Sequence, residues 1–190
     1  MISDEIGQLL LKTARDAMYL YLRHRRITDK PKKYPAELDA HGGVLIEIYK
    51  HVPGTAVRQL KGSAAVLETE KPILDNLLES AILAMGKPPG IGLDELPVVE
   101  IEVSVIGGME DITAHGVKDY SRRIALGRDG LFVRKGIMRG IMMPSVPVER
   151  KWTVQETLEN MCLKAGLLKE SWADPAAHIF RFTPQTFREK

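Results

Sequence analysis

The segment LKGSAA, residues 60–65, contains the side chain that is best placed by its type to act as a nucleophile. Ser63 follows Gly62 in this segment, and a serine hydroxyl needs an adjacent general base before it attacks efficiently. An alternative is structural: Gly62 and Ser63 form a tight strand-to-loop turn in which the hydroxyl makes a local hydrogen bond. The sequence leaves both interpretations open. The candidate bases are His41, His51, His115 and His178, and none lies in a G-x-S-x-G motif.

A second group of polar residues lies in the segment GRDGLFVRKG, residues 127–136. Arg128 and Arg134 are candidate anion contacts beside a glycine-rich turn. The same glycines are equally typical of a β-hairpin that turns at Asp129 and Gly130. The pattern predicts a hairpin here, with strands at residues 124–128 and 131–135.

The sequence predicts no metal site and no cofactor. The five histidines include no His-x-x-x-His pair, and no acidic run resembles a calcium loop. Cys162 is the single cysteine, which excludes a multi-cysteine zinc or iron–sulfur site. It lies on the apolar stripe of a predicted helix, so we expect it to be a core residue. Neither a Walker sequence nor a G-x-G-x-x-G sequence occurs.

Basic residues are concentrated between Arg23 and Lys33. One interpretation is an RNA- or DNA-binding patch. The alternative is that these cations lie at the negative end of a helix dipole and in a solvated loop. The net charge of the whole chain is only +2, so any nucleic-acid surface must be local.

Length and composition are those of a globular protein with a substantial core. The chain has 190 residues, of which 44% are hydrophobic and 27% are charged. Asp4 and Glu5 stand where a secretory signal carries positive charge, and no apolar run approaches the ~18 residues of a membrane span. We expect a cytoplasmic protein with no membrane partner.

The elements that must position these residues are mixed. Helical spacing predicts an amphipathic helix from Ile6 to Leu22, with Ser3 or Asp4 as its cap. A second helix begins near Pro72, and the pair Thr153 and Glu156 predicts a capping box for a third. Strands are predicted at residues 44–50 and 55–60 as a hairpin, at 99–105 with one solvated face, and at 178–182; residues 87–92 are predicted as a loop.

Several of these segments resemble the AMMECR domain family. Residues 127–136 are similar to its G-R-x-G-L-x-V-R-x-G motif, residues 143–146 (MPSV) to its L-P-Q-V, and residues 162–166 (CLKAG) match a further motif. The family's L-R-G-C-I-G stands here as LKGSAA, with serine in place of cysteine, and its D-P-R-F-P-P loop as residues 86–89 (GKPP).

The resemblance implies a fold and a place for a site. The implied fold is α+β: an antiparallel or mixed sheet with flanking helices plus a smaller β-rich subdomain. Residues 1–190 would form one domain of two tightly packed subdomains, with both chain ends in the larger. The site would be a cleft between the two subdomains near Leu60–Ala65, with Lys61, Gly62, Ser63, Arg128 and Arg134 as binding residues.

The resemblance implies no reaction. Many family members resemble a component of the AmmeMemoRadiSam set, which is an association with other proteins and not an activity. We therefore predict binding of a small molecule, and the sequence leaves open whether that molecule is turned over. A noncatalytic role as an assembly partner of other proteins is the alternative, and nucleic-acid binding through the basic segment is a third.

Overall fold

The computed structural model describes residues 2–27, 29–67, 70–86, 90–114 and 116–189. The chain divides into two compact units, Met1–Gly107 with Gln185–Lys190, and Gly108–Pro184. Among the described residues, each unit contains a four-stranded sheet and helices, which confirms the predicted α+β class. His115 and residues 87–89 of the predicted loop lie outside the described residues.

The first unit is a sheet packed against two helices. Its strands are arranged in the order β2-β1-β3-β8, and β1 is antiparallel to both of its neighbours. The elements are α1 (Asp4–His24), β1 (Gly43–His51), β2 (Arg58–Val66), α2 (Ile73–Ala84), β3 (Val99–Ile106) and β8 (Pro184–Arg188).

Helix α1 forms as its apolar periodicity predicts. The Ser3 hydroxyl caps it by accepting a hydrogen bond from the backbone N–H of Ile6 at 3.3 Å. The helix ends at Arg25, whose φ of 51° is left-handed. Its apolar stripe lies in the core of the first unit, with Leu10, Leu11, Ala14, Ala17 and Met18 buried.

Helix α2 is held against the sheet by a buried serine as well as by its apolar face. The Ser80 hydroxyl donates to the carbonyl of Val44 at 3.0 Å and accepts from the N–H of Val66 at 3.2 Å. It thereby bonds the backbones of β1 and β2 at once, where their own pairing ends. This contact fixes α2 relative to β1 and to β2, the strand that contains Ser63.

Two predictions about the first sheet are wrong in part. Strand β2 does not end at Leu60 but continues through Ser63 to Val66, so Gly62 and Ser63 are in a strand and not in a turn. The second concerns β3, for which alternation predicted one solvated face. Glu102 and Ser104 on that face are only 9% and 1% exposed, because ion pairs and hydrogen bonds satisfy them there.

The second unit has a sheet of order β4-β7-β5-β6. Its core includes Tyr120, Leu131, Val133, Leu158 and Ile179. The elements are β4 (Glu110–Asp111), α3 (Val117–Arg123), β5 (Gly130–Lys135), β6 (Met138–Met142), α4 (Ser145–Glu149), α5 (Val154–Lys164) and β7 (His178–Phe182).

The hairpin predicted at Asp129 and Gly130 is wrong. Residues 124–129 contain no strand; they form a turn that leads from α3 into β5. The hairpin lies later, where Lys135 pairs with Met138 across a two-residue loop. Gly136 has a φ of 59° and Ile137 is not left-handed, which is the pattern of a type II′ turn.

Helix α5 begins with the predicted capping box. The Thr153 hydroxyl accepts from the N–H of Glu156 at 3.2 Å, and the Glu156 carboxylate accepts from the N–H of Thr153 at 2.8 Å. Cys162 on this helix is fully buried, as its place on the apolar stripe predicted. The predicted final strand is β7, which joins the second sheet between β4 and β5.

Candidate functional site

Ser63 lies on an edge strand with a carboxylate directly opposite it. In the pairing of β2 with β1, Ser63 faces Glu47, and in the pairing of β1 with β3, Glu47 faces Glu102. Opposed residues on an antiparallel pair have Cβ atoms about 4.5–5.5 Å apart. The three side chains therefore form a row across the sheet, with the exposed serine at its outer end.

A β-bulge sets the direction of the residues before Ser63. Gly62 pairs with Ile48 whereas Leu60 pairs with Tyr49, so Lys61 is the extra residue on β2. The Lys61 side chain is exposed. Gly62 faces the other way, toward the end of α2, where a Cβ atom would lie 2.1 Å from the carbonyl oxygen of Ala84. Only glycine fits at this position, because the backbone of α2 approaches β2 so closely there.

Two of the histidines proposed as bases, His41 and His51, are described in the first unit, and neither has a contact with Ser63 there. His51 is four residues from Glu47 along β1, or about 13 Å at the rise of a strand. Its Nε2 atom lies 2.9 Å from Oε2 of Glu100. His41 precedes β1 and forms an isolated bridge with Pro72. His178 belongs to the second unit, where its Nδ1 lies 3.4 Å from a carboxylate oxygen of Asp111.

Two arginines pair with the carboxylates of β3 that lie on the same side of the sheet as Ser63. Arg58 Nη1 donates to Glu100 at 2.6 Å and to Glu102 at 3.0 Å. Arg188 Nε donates to Glu102 at 2.7 Å. We call this side of the sheet the polar face; it comprises Glu47, Tyr49, His51, Arg58, Ser63, Glu100, Glu102 and Arg188.

Tyr49 is a protonated hydrogen-bond donor within the polar face. The guanidinium of Arg58 lies 4.3 Å from the centroid of its ring. Burial raises the pKa of the Tyr49 phenol, and the negative charges of Glu47 and Glu102 and a hydrogen bond to Glu47 raise it further. Arg58 acts in the opposite direction but does not reverse the shift. The phenol therefore keeps its proton well above neutral pH.

The sequence analysis missed most of this face. It selected Ser63 but not the tyrosine, the arginines or the carboxylates around it. The available signal was the alternation of Glu47 with Tyr49 and of Glu100 with Glu102, which place pairs of polar residues on one side of each strand. That alternation was interpreted only as a solvated surface.

Arg128 and Arg134 lie in the second unit and have different surroundings. Arg128 binds the carboxylate of its neighbour Asp129 through two nitrogens, at 2.7 and 3.0 Å. Asp129 is buried and accepts a further hydrogen bond from the N–H of Ala125. Arg134 is exposed on β5, and its guanidinium lies 5.5 Å from the centroid of the Phe180 ring.

The basic segment is partly occupied by local contacts. Arg23 donates to the hydroxyl of Tyr19, and Arg25 lies 5.8 Å from the ring centroid of Tyr21. Lys30 pairs with Asp75 at 2.8 Å. Thr28 lies outside the described residues. These contacts account for three of the cations without a nucleic acid.

Two further features are absent from the part of the chain that the structure describes. No cluster of three or more His, Cys, Asp or Glu side chains there is arranged to hold a metal ion. Within the same ranges, no helix combines the length and apolar character needed to cross a bilayer.

Comparison with known proteins gives the family. The AMMECR1 family model matches residues 11–187. The chain belongs to the AMMECR1 family. A Thermococcus kodakarensis protein is 34% identical over 194 residues, covering 100% of this chain and 93% of its own length. A Methanocaldococcus jannaschii protein is 32% identical over 192 residues, with 100% and 92% covered.

The fold is also that of a solved family relative. The crystal structure of an uncharacterized protein from Pyrococcus horikoshii superimposes with a TM-score of 0.89 at 32% sequence identity. The match covers 100% of this chain and 94% of that one. These relatives share the AMMECR1 architecture with this chain, and their names state no activity.

Proposed function

We propose that this AMMECR1-family chain binds a small polar molecule at the polar face, next to Lys61, Gly62 and Ser63. The observation that carries the proposal is the row formed by exposed Ser63, Glu47 and nearly buried Glu102. It combines an accessible hydroxyl with charges fixed by the sheet. Fixed polar groups beside an accessible position are what a ligand site requires to orient its ligand.

The charges of the polar face indicate the class of ligand. Glu47, Glu100 and Glu102 supply three carboxylates, whereas Arg58 and Arg188 supply two guanidinium groups. A face that carries both carboxylates and guanidinium groups favours a polar ligand that both donates and accepts hydrogen bonds, such as an amino acid or a nucleoside. The Ser63 hydroxyl serves as a binding group in this proposal, because His51, which contacts Glu100 on this face, is about 13 Å along β1 from Glu47, the residue opposite Ser63.

A thermal-unfolding screen against a library of amines, amino acids and nucleosides tests the proposal. A ligand at 100 times its dissociation constant stabilises the protein by about 2.7 kcal/mol, which a melting curve resolves readily. Ser63→Ala and Tyr49→Phe should each weaken the response. Ser121→Ala is the matched control, because this exposed serine on α3 donates to the carbonyl of Val117 within its own helix.

The same screen separates the outcomes. A hit lost in Ser63→Ala and kept in Ser121→Ala supports the polar face. A hit that neither polar-face variant weakens places the ligand elsewhere, and no hit in the library counts against small-molecule binding. Arg128→Ala and Arg134→Ala belong in the panel because both arginines remain proposed binding residues.

The protein-partner alternative has one supporting observation in the first unit. An apolar groove of about 860 Å³ is lined by Ile27, Leu78, Ile82 and Leu83, among other residues. Ile27 and Leu83 are 69% and 54% exposed. Affinity purification with the Leu83→Asp variant tests this alternative. Leu163→Asp is the matched control, because Leu163 on α5 is also 54% exposed. A partner retained by both variants does not use this groove.

A further inference from the structure

The second sheet carries two aromatic rings on its two central strands. Phe132 of β5 pairs directly with Phe180 of β7, and the ring centroids are 5.9 Å apart. Their sequence neighbours Leu131, Val133 and Ile179 belong to the core. Because side chains alternate along a strand, both rings lie on the side of the sheet opposite to that core.

Positive groups stand one step further along the same side. Arg134 pairs with His178 on β7 and with Arg139 on β6, and all three side chains are exposed. Asp111, beside His178, supplies a carboxylate at 3.4 Å. We call the side formed by Phe132, Phe180, Arg134, Arg139, His178 and Asp111 the aromatic–basic face.

Arg134 and Arg139 form a cross-strand pair of like charges. Such a pair destabilises a sheet unless an anion lies between the two groups. Within the described residues, neither guanidinium has an ion pair with a carboxylate. The guanidinium of Arg134 instead lies 5.5 Å from the centroid of the Phe180 ring, within range of a cation–π contact. An anion bound between the two guanidinium groups would relieve this repulsion.

We infer that the aromatic–basic face binds single-stranded nucleic acid. Bases stack readily on aromatic rings and on guanidinium planes, and sheet platforms for RNA use aromatic residues of neighbouring strands. Here Phe132 is buried beside Phe180, and Phe180 is partly exposed. In this proposal a base stacks against Phe180 and the neighbouring Arg134 guanidinium, and Arg139 contacts a phosphate.

This surface differs from the basic segment Arg23–Lys33, which lies in the other unit, and it does not depend on a ligand at the polar face. Single strands are favoured over duplexes, because a stacking platform needs unpaired bases. The sequence of the strand is not read at this face, since stacking and phosphate contacts are both tolerant of sequence.

Fluorescence anisotropy with a labelled single-stranded oligonucleotide of about 12 nucleotides, a length typical of such sites, tests the inference. The variants are Arg139→Glu, which changes an exposed side chain without an ion pair, and Phe180→Leu, which keeps an apolar side chain but removes the ring. Arg122→Glu is the matched control. Its side chain on α3 is 80% exposed, 3.8 Å from Asp119, and makes the same change of charge.

The variants should differ in salt dependence as well as affinity. Arg139→Glu should weaken binding and reduce the slope of log affinity against log salt by about 0.7 or more. Phe180→Leu should weaken binding about fivefold or more with the slope unchanged, because stacking is not electrostatic. Arg122→Glu should bind as the wild type does, and an unlabelled duplex should compete poorly.

Three results would overturn the inference. They are no binding by the wild type at low salt, equal weakening by Arg139→Glu and Arg122→Glu, and wild-type affinity in Phe180→Leu. The second would show a general charge effect, and the third would show that no base stacks on this face.

Discussion

Glu47 faces Ser63 across β1 and β2, and on its other side it faces Glu102 of β3. The nearest cross-strand group to the serine is therefore an acceptor rather than an imidazole. A hydroxyl can donate a proton and a carboxylate accepts one, so the residue opposite Ser63 is a possible hydrogen-bond acceptor and the serine side chain stays exposed to a ligand. The same geometry places Tyr49 two residues further along β1, on the same side of the sheet.

Gly62→Ala should destabilise the first unit. The new Cβ atom would lie 2.1 Å from the backbone oxygen of Ala84, so β2 or the end of α2 must move. Overpacking of this kind costs about 1–3 kcal/mol. Urea unfolding followed by circular dichroism measures the change. Gly107→Ala is the control, since nothing lies within 4 Å of its Cβ position, and equal stability of the two variants would contradict the close approach.

Glu102→Gln should lower the free energy of unfolding by about 1–3 kcal/mol, because Arg58 and Arg188 both lose a charged acceptor in a nearly buried position. Glu95→Gln serves as the comparison. Its carboxylate is 31% exposed and 3.5 Å from Lys50, so its loss should change stability by less than about 1 kcal/mol. Chemical denaturation of both variants decides whether the arginine–glutamate network stabilises the sheet.

The elements predicted correctly are those whose signals are local. Helix α1 has its apolar stripe and its serine N-cap within one short segment. The capping box that begins α5 is formed by Thr153 and Glu156, which are only three positions apart. The hairpin at Asp129 and Gly130 was wrongly predicted, because an Asp-Gly dipeptide often closes a hairpin. Here the same dipeptide ends a turn that follows α3, and the aspartate is buried. Nothing in the nearby sequence distinguishes these two uses.

The polar face shows why the site was harder to predict than the fold. Ser63 lies opposite Glu47 because β2 pairs with β1 in a register that contains a bulge. Glu47 lies opposite Glu102 because β3, which follows α2 in the chain, pairs with β1. Residue types identified the serine, but its partners depend on pairing that no local pattern fixes. A one-residue change of register would have turned the other face of β2 toward them.

Asp129 should make the second unit sensitive to acid. Hydrogen bonds from Arg128 lower its pKa most, and the N–H of Ala125 lowers it further, although burial acts in the opposite direction. A carboxyl group whose pKa is lower in the folded state contributes stability above its unfolded pKa of about 3.9 and loses it as pH falls through the folded value.

The measurement is urea unfolding of the wild type and Asp129→Asn at neutral pH and below about pH 4. The variant should be less stable than the wild type at neutral pH, and the difference should shrink in acid. Asp119→Asn on α3 is the control. Its side chain is 52% exposed and lies 3.8 Å from Arg122, so it forms a weak surface ion pair. A constant difference for Asp129→Asn across this range would show that the carboxylate charge is not what stabilises the turn.

Cys162 should be unreactive in the folded protein. Its side chain is fully buried, and burial raises the pKa of its thiol to about 11, so little thiolate forms near neutrality. Labelling with an aromatic disulfide reagent should be slow in native buffer and rapid in denaturant. Because Cys162 is the single cysteine of the chain, the absorbance change reports on this residue alone. Rapid stoichiometric labelling of the native protein would mean that α5 opens readily and that Cys162 is not a protected core residue.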